Sequence, residues 1–319
     1  MNMKTVYLNK FMSSVVAELE MNGQYGTAHV CGSVLRSVMA FDGEGLPVSG
    51  ITPLWLKAYE GYLLHKGGKG LAWNTVSTYM RMLQAVYNRA VVRKLAAFIP
   101  HQFRDVFTGR KADHRRVLER DDMQKLLLDR EPDITSPGMA WARACLELMF
   151  RFHGMPFVDL AHLRKSDLKD GYLTLRRRKT GMPLSARVDG RAMQLLERYR
   201  NRDDTSPYLL CFLDGNLEGM AAYRDYQRIL RLLNSRLRAL ALWKKVQGKV
   251  TSYSARHTWA TVGRYCHIPI EVISEGLGHA SVTTTEGYMK GFGNSRMDRA
   301  NKVIMNYIFK GLSNAVDKW

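Results

Sequence analysis

Over the first hundred residues the apolar side chains recur every three or four positions, the spacing of helices that each hide one face. Leu8, Phe11, Met12, Val15, Val16 and Leu19 share one side of a helix across Tyr7–Leu19. Val30, Val34, Leu35 and Val38 mark a second helix. Thr52 followed by Pro53 pairs a capping residue with a first-turn proline and opens a third. Asn74 is read as the cap of a fourth, striped by Val76, Tyr79, Met80, Leu83, Val86, Tyr87 and Ala90. Such stripes leave water only by packing on one another, so a four-helix unit is expected. Arg81 and Arg89 fall off the fourth stripe and are expected to face outward, where a phosphate backbone could be met. Pro100, Gly109 and a cluster of charges break the pattern in Phe98–Asp113. The expected division is residues 1–108 and 109–319.

The second part is mixed. Ser136-Pro137 starts a helix with Met139, Ala142, Cys145, Leu146 and Met149 on one face, and Gly154 ends it. Pro156 opens a short helix. Gly171–Val188 is rich in strand formers at Tyr172, Leu173, Thr174 and Leu175, and Thr180-Gly181 reads as a turn. A small β-hairpin carrying Arg176, Arg177, Arg178 and Lys179 near its tip is predicted. Helices are expected at Arg191–Arg200, Tyr223–Leu242, Ser254–Tyr265 and Glu271–Glu275. The fold class is therefore mainly α with a small β-hairpin or sheet. No strand–helix alternation of a doubly wound sheet is present. Arg299–Leu312 carries Ala300, Val303, Ile304, Tyr307, Ile308 and Leu312 on one stripe, which must dock on its own domain or on a neighbouring subunit.

Charge narrows the partners. The formal net charge is +19, which points to nucleic acid, an anionic membrane or an acidic protein. Gly61–Arg104 holds seven Lys and Arg and no acid, and Tyr226–Ile270 holds nine and no acid. Two acid-free stretches, one in each half, suit two walls around a polyanion. No apolar run approaches the roughly 18 residues of a membrane helix, and the N-terminus lacks a signal-peptide block, so a cytoplasmic protein without membrane contact is expected. Cys31, Cys145, Cys211 and Cys266 are far apart, which argues against a zinc or disulfide framework. Three of the four sit in apolar surroundings and are expected in the core.

The sequence has no phosphate-cradling P-loop, no His-Glu-x-x-His zinc motif and no spaced carboxylates, so neither metal nor cofactor is expected. Three clusters could carry chemistry. Arg178-Lys179-Thr180-Gly181 places a lysine at a hairpin turn, free to reach into a groove. Thr251 to Ala260 places Tyr253 just before a helix and Arg256 in its first turn, where backbone N–H groups also face an anion. Leu277-Gly278-His279 precedes Tyr288 by nine residues, close enough for both side chains to reach one site.

Together these clusters resemble the tyrosine recombinase (phage integrase) family, over about Arg116 to Lys290. Lys179 in Lys-Thr-Gly matches the family's hairpin lysine, Arg256 in Ala-Arg-His-Thr-Trp-Ala its second arginine, His279 in Leu-Gly-His its His/Trp position, and Tyr288 in Thr-Glu-Gly-Tyr its nucleophile. The resemblance implies an N-terminal SAM-like core-binding domain followed by a catalytic domain. Two positions depart from the pattern. Gly154-Met155-Pro156 stands where the family usually reads Gly-Leu-Arg, and Tyr253 stands where it usually has histidine. The run Gly154–Leu168 with Tyr253 is similar to integrases and invertases of Bacteroides-type mobile elements, some of which carry an arginine just before Gly-Met-Pro. Here His153 occupies that place and Arg151 lies two residues earlier, and both are candidates to compensate.

The resemblance implies that Tyr288 attacks a DNA phosphate to give a 3′-phosphotyrosine, within a reaction that passes through a Holliday junction. Lys179 would protonate the leaving 5′ oxygen, Arg256 would hold phosphate oxygens and His279 would donate a hydrogen bond. A phenol with a pKa near 10 is a poor base, so Tyr253 is expected to orient phosphate or water. Arg81, Arg89, Arg178, Lys244 and Lys245 are the candidate DNA contacts. The implied partners are double-stranded DNA with a specific site, a homo-tetramer joined through the C-terminal helix, and an accessory DNA-bending protein, in the nucleoid of a bacterial cytoplasm. An integrase or DNA invertase is the leading reading. A catalytically impaired DNA-binding protein and a nicking–closing enzyme like type IB topoisomerases are the alternatives.

Overall fold

The computed structural model describes residues 5–111, 117–127, 136–279, 281–286 and 301. The chain divides into two compact units, residues 1–113 with 201–231, and residues 114–200 with 232–319.

In the first unit α1 (Leu8–Met21) and α2 (Tyr25–Asp42) run into α3 (Pro53–His65) and α4 (Trp73–Val92). The apolar stripes behave as the spacing requires. Leu8, Phe11, Met12, Val15 and Leu19 are buried with Val34, Val38, Leu56, Leu63, Met80 and Leu83 in one core. Each such side chain stabilises by roughly 1.5–3 kcal/mol relative to exposure. Thr52 is the cap of α3, its Oγ1 accepting from the Trp55 N–H at 3.2 Å. Asn74 is not the cap of α4, which begins one residue earlier with Ala72 at the N-cap. The Asn74 amide instead bonds the Lys111 backbone in both directions, each at 2.8 Å, and ties α4 to the segment that follows the bundle. A side chain engaged across 37 residues cannot also close its own helix start.

The second unit holds α5 (Arg120–Leu127), α6 (Pro137–Arg151), the one-turn α7 (Phe157–Ala161) and a three-stranded antiparallel sheet. The sheet runs β1 (Leu168–Lys169), β2 (Tyr172–Arg176) and β3 (Pro183–Arg187), with Thr174 opposite Ser185 and Arg176 opposite Pro183. Leu173, Leu184 and Ala186 face inward and Tyr172 outward, the period-2 alternation of a half-buried sheet. The sequence predicts two strands. The third, β1, is two residues long and shows no alternation to read. It is joined through Asp170 and Gly171, whose φ values of 52° and 77° make an Asp-Gly hairpin turn. Then come α8 (Gly190–Arg198), α9 (Gly219–Trp243), α10 (Ser254–Tyr265), α11 (Ile270–Gly276) and α12 (Val282–Glu286), the unit boundary at 231/232 falling within α9. α10 packs on α6. Cys31 and Cys145 are buried, whereas Cys211 and Cys266 are exposed, so two cysteines and not three belong to the core. The apolar stripe of Arg299–Leu312 lies outside the described residues. No helix among the described residues is long and apolar enough to cross a membrane.

Candidate active site

α6 ends at Arg151, and the chain reverses through His153 and Gly154 at φ 56° and 67°. A Cβ on Gly154 would lie 2.9 Å from the Cα of Arg256, so only glycine lets α10 approach this closely. That approach delivers Arg256, in the first turn of α10, into the interior at 1% exposure. Its Nη1 donates to the Gly154 carbonyl at 3.0 Å. Its Nη2 donates to the Leu277 carbonyl at 2.6 Å and faces His279 Nε2 at 2.7 Å.

A second guanidinium reaches the same turn from the sheet. Arg177, just past β2, is 5% exposed. Its Nη1 donates to the carbonyls of Leu277 and Gly278, each at 2.8 Å, so both arginines share Leu277 O. Its Nε donates to Asp159 Oδ2 at 3.2 Å, and Asp159 Oδ1 accepts from the Arg178 N–H at 2.9 Å. Asp159 on α7, 1% exposed, thereby fixes the hairpin end on which Lys179 stands. Gly278 closes the turn at φ 61°, and a Cβ there would lie 2.5 Å from Arg177 Cδ.

The electrostatics follow from this crowding. Asp159 offsets Arg177, and the charges that act on the His279 imidazole are those of Arg256, Arg177 and Lys179, so the field there is positive. His279 registers that charge. Burial first, then Arg256, Arg177 and Lys179, push its pKa down to about 3, so the ring is neutral at ordinary pH. Its Nδ1 lies 2.8 Å from the hydroxyl of Thr285, a fully buried residue of α12. A pocket of guanidinium, imidazole and an adjacent lysine is built to hold an oxyanion and to stabilise charge developing on it.

The candidates separate clearly. Arg256 and His279 meet in this pocket, and Lys179, exposed on the hairpin, lies near enough to shift His279. Tyr253 is the N-cap residue of α10, 41% exposed, with its ring 6.2 Å from that of His257. Arg151 is engaged elsewhere, by Glu147 at 2.9 Å and by Asp189, the cap of α8, at 2.6 Å. His153 is half-buried with its ring 5.6 Å from that of Trp259, and burial lowers its pKa. Tyr288 lies outside the described residues, two positions beyond the end of α12.

Among the proposed DNA contacts, Arg81, Arg178 and Lys245 are exposed, Lys244 lies 4.1 Å over the Trp243 ring, and Arg89 pairs with Glu18 at 3.2 Å. No group of three or more His, Cys, Asp or Glu fit to hold a metal occurs among the described residues.

Sequence reasoning missed Arg177, Asp159 and Thr285. Arg177 was hidden inside a run of four basic residues. Continuing the strand alternation from Leu173 through Leu175 places it inward and Arg176 and Arg178 outward. Asp159 was signalled only by being an acid within the apolar Phe157–Ala161.

Comparison with known proteins places these features in context. The phage integrase SAM-like domain matches residues 7–104 and the phage integrase family matches residues 116–292. The chain is 29% identical over 140 residues to tyrosine recombinase XerA of Pyrococcus furiosus, covering 43% of this chain and 46% of that protein. It is 26% identical over 180 residues to the putative integrase/recombinase y4gC of Sinorhizobium fredii, covering 54% and 88%. The chain thus spans about half the length of the Pyrococcus proteins it matches. In fold it is similar to a lambda integrase dimer bound to a COC′ core site, with a TM-score of 0.64, 18% identity and coverage of 91% of this chain and 97% of the other. It is also similar to the Tn1549 transposon integrase in complex with transposon right end DNA, with a TM-score of 0.63, 16% identity and coverage of 93% and 98%.

Proposed function

The chain belongs to the phage integrase family, and from that premise we propose that it is a site-specific DNA recombinase, an element integrase or a DNA invertase. One observation carries the reading: buried Arg256 and neutral His279, 23 residues apart, meet at 2.7 Å in a positive pocket beside the hairpin lysine. The lambda and Tn1549 integrases of similar fold are bound to DNA, and the +19 charge suits the same partner.

In the proposed reaction the Tyr288 oxygen bonds to phosphorus as the bond from phosphorus to the 5′ oxygen breaks. The phenol proton passes to water held near Tyr253, and Lys179 supplies a proton to the departing 5′ oxygen. The product is a 3′-phosphotyrosine, which the 5′ hydroxyl of a partner strand attacks to rejoin DNA through a Holliday junction. Because the bond energy stays in the ester, no nucleotide is consumed. Arg256 contributes its fork to the non-bridging oxygens. Arg177 is proposed as the second cation in place of the arginine that Gly154-Met155-Pro156 lacks. Its support is the shared Leu277 carbonyl, while Arg151 is engaged by two carboxylates.

Residues 1–108 form the proposed core-binding domain and 109–319 the catalytic domain, a division supported by the matches to 7–104 and 116–292. Arg81, Arg89, Arg178, Lys244 and Lys245 are the proposed phosphate contacts. Assembly as a tetramer on DNA through the Arg299–Leu312 segment, an accessory bending protein, a place in the bacterial nucleoid and a likeness to Bacteroides-type elements complete the proposal.

The test is a nicked suicide duplex built on a site selected by binding from random DNA. A covalent protein–DNA adduct is expected, and Tyr288→Phe abolishes it. Wild-type protein that binds the selected site and forms no adduct would establish the catalytically impaired DNA-binding reading instead.

A further inference from the structure

His279 stands between two partners that constrain its protons differently. A guanidinium can only donate, so Nε2, facing Arg256 Nη2 at 2.7 Å, presents its lone pair. The ring is neutral, so its one proton is on Nδ1, where the Thr285 hydroxyl accepts it at 2.8 Å. In this state His279 cannot donate from Nε2. Stabilising a phosphate oxygen, however, needs Nε2–H, which leaves Nδ1 bare and in want of a donor. Of the common side-chain groups a hydroxyl is well suited to meet both demands, since it accepts in one rotamer and donates in another. Thr285 is fully buried, so no bulk water is at hand to take its place.

We propose that Thr285 is a positioning residue that serves both tautomers of His279, accepting from Nδ1–H while Nε2 holds Arg256 and donating to Nδ1 when Nε2–H turns to a phosphate oxygen. This rests on the recombinase reading, since the anion is taken to be a DNA phosphate. The exchange conserves charge: the half-buried ring releases the Nδ1 proton to water as it turns out of contact with Thr285, takes one up on Nε2 from water, and settles back against the buried hydroxyl. It frees Arg256 Nη2 from the imidazole at the moment an anion arrives. It also links the state of His279 to α12, which carries Thr285 three residues before Tyr288.

The experiment uses the full chain with ¹⁵N-labelled histidine, the His279 resonances being assigned with His279→Gln. Long-range ¹H–¹⁵N correlation reports which ring nitrogen is protonated. The free protein is expected to carry the proton on Nδ1, and saturation with inorganic phosphate is expected to move it to Nε2. Thr285→Ser retains the transfer and forms adduct on the nicked duplex within about 3-fold of wild type. Thr285→Val loses the transfer and forms adduct about 10–100-fold more slowly, with duplex affinity unchanged. A proton on Nε2 in the free protein, an unchanged tautomer with phosphate, or equal loss in the serine and valine variants would overturn the proposal. The tautomer measurement needs no cleavage, so a wild type that switches but forms no adduct refutes the recombinase reading and leaves this one standing.

Discussion

At the scale of single residues, two histidines of the second unit are held away from their ordinary behaviour. His279 is held neutral with a pKa of about 3, and burial, aided by the charge of Arg178, takes His162 to about 4. Both fall below the ordinary histidine value near 6.5. The unfolded chain therefore binds more protons than the folded one between roughly pH 6.5 and the folded values, and stability rises with pH across that window. It is fully present above pH 6.5 and is lost progressively as acid is added. Allowing for partial exposure, each histidine contributes on the order of 1 kcal/mol to the loss by pH 5. The urea midpoint is expected to fall from pH 7 to pH 5, and His279→Gln should flatten that fall. A midpoint independent of pH would contradict the assignment. Gly154 offers a second check at this scale. Gly154→Ala forces a side chain into a φ of 67° against the Arg256 backbone and is expected to destabilise by about 1–3 kcal/mol, visible as a lower Tm in thermal unfolding.

At the scale of elements, the pocket is a meeting of short pieces held by buried polar bonds. α7, the β2–β3 hairpin and the α11–α12 turn converge on Arg177 and Asp159. A buried ion pair is weak evidence for net stability, but removing one partner leaves the other charged and unpaired, at about 3–5 kcal/mol. Asp159→Ala should therefore lower the urea midpoint strongly, whereas the joint replacement Asp159→Leu with Arg177→Met recovers a large part of it. A joint variant no more stable than Asp159→Ala would show that the pair acts independently. In the other unit, Thr52→Ala removes the hydroxyl that caps α3 and is expected to destabilise by about 1 kcal/mol, measured in the same way.

At the scale of the whole molecule, the relevant quantity is charge. Two acid-free stretches and a net charge of +19 favour a polyanion whose counterions are released on binding. Affinity for duplex DNA is expected to fall about 10³–10⁵-fold between 50 and 200 mM salt if 6–10 phosphates are contacted. Fluorescence anisotropy on a labelled duplex measures the slope directly. Arg81→Ala should lessen the slope by about one contact, whereas Arg89, already paired with Glu18, should change it less. A slope near zero would remove the polyanion from the account.

Local patterns by themselves determined the helices between Leu8 and Val92, whose apolar stripes must leave water, and the hairpin, whose strand formers run into the Thr180-Gly181 turn. The motifs around Arg256 and His279 likewise mark residues that the fold brings together, with Lys179 close enough to act on the imidazole. Only the tertiary structure decided which cations share the pocket. Arg177 rather than Arg151 joins Arg256 on the Leu277 carbonyl, Asn74 ties down Lys111 rather than capping α4, and Thr285 meets His279. The physical reason is range. A buried charge takes its partners from carbonyls and side chains a hundred residues away, and the strand alternation that turns Arg177 inward does not record which groups it will meet there.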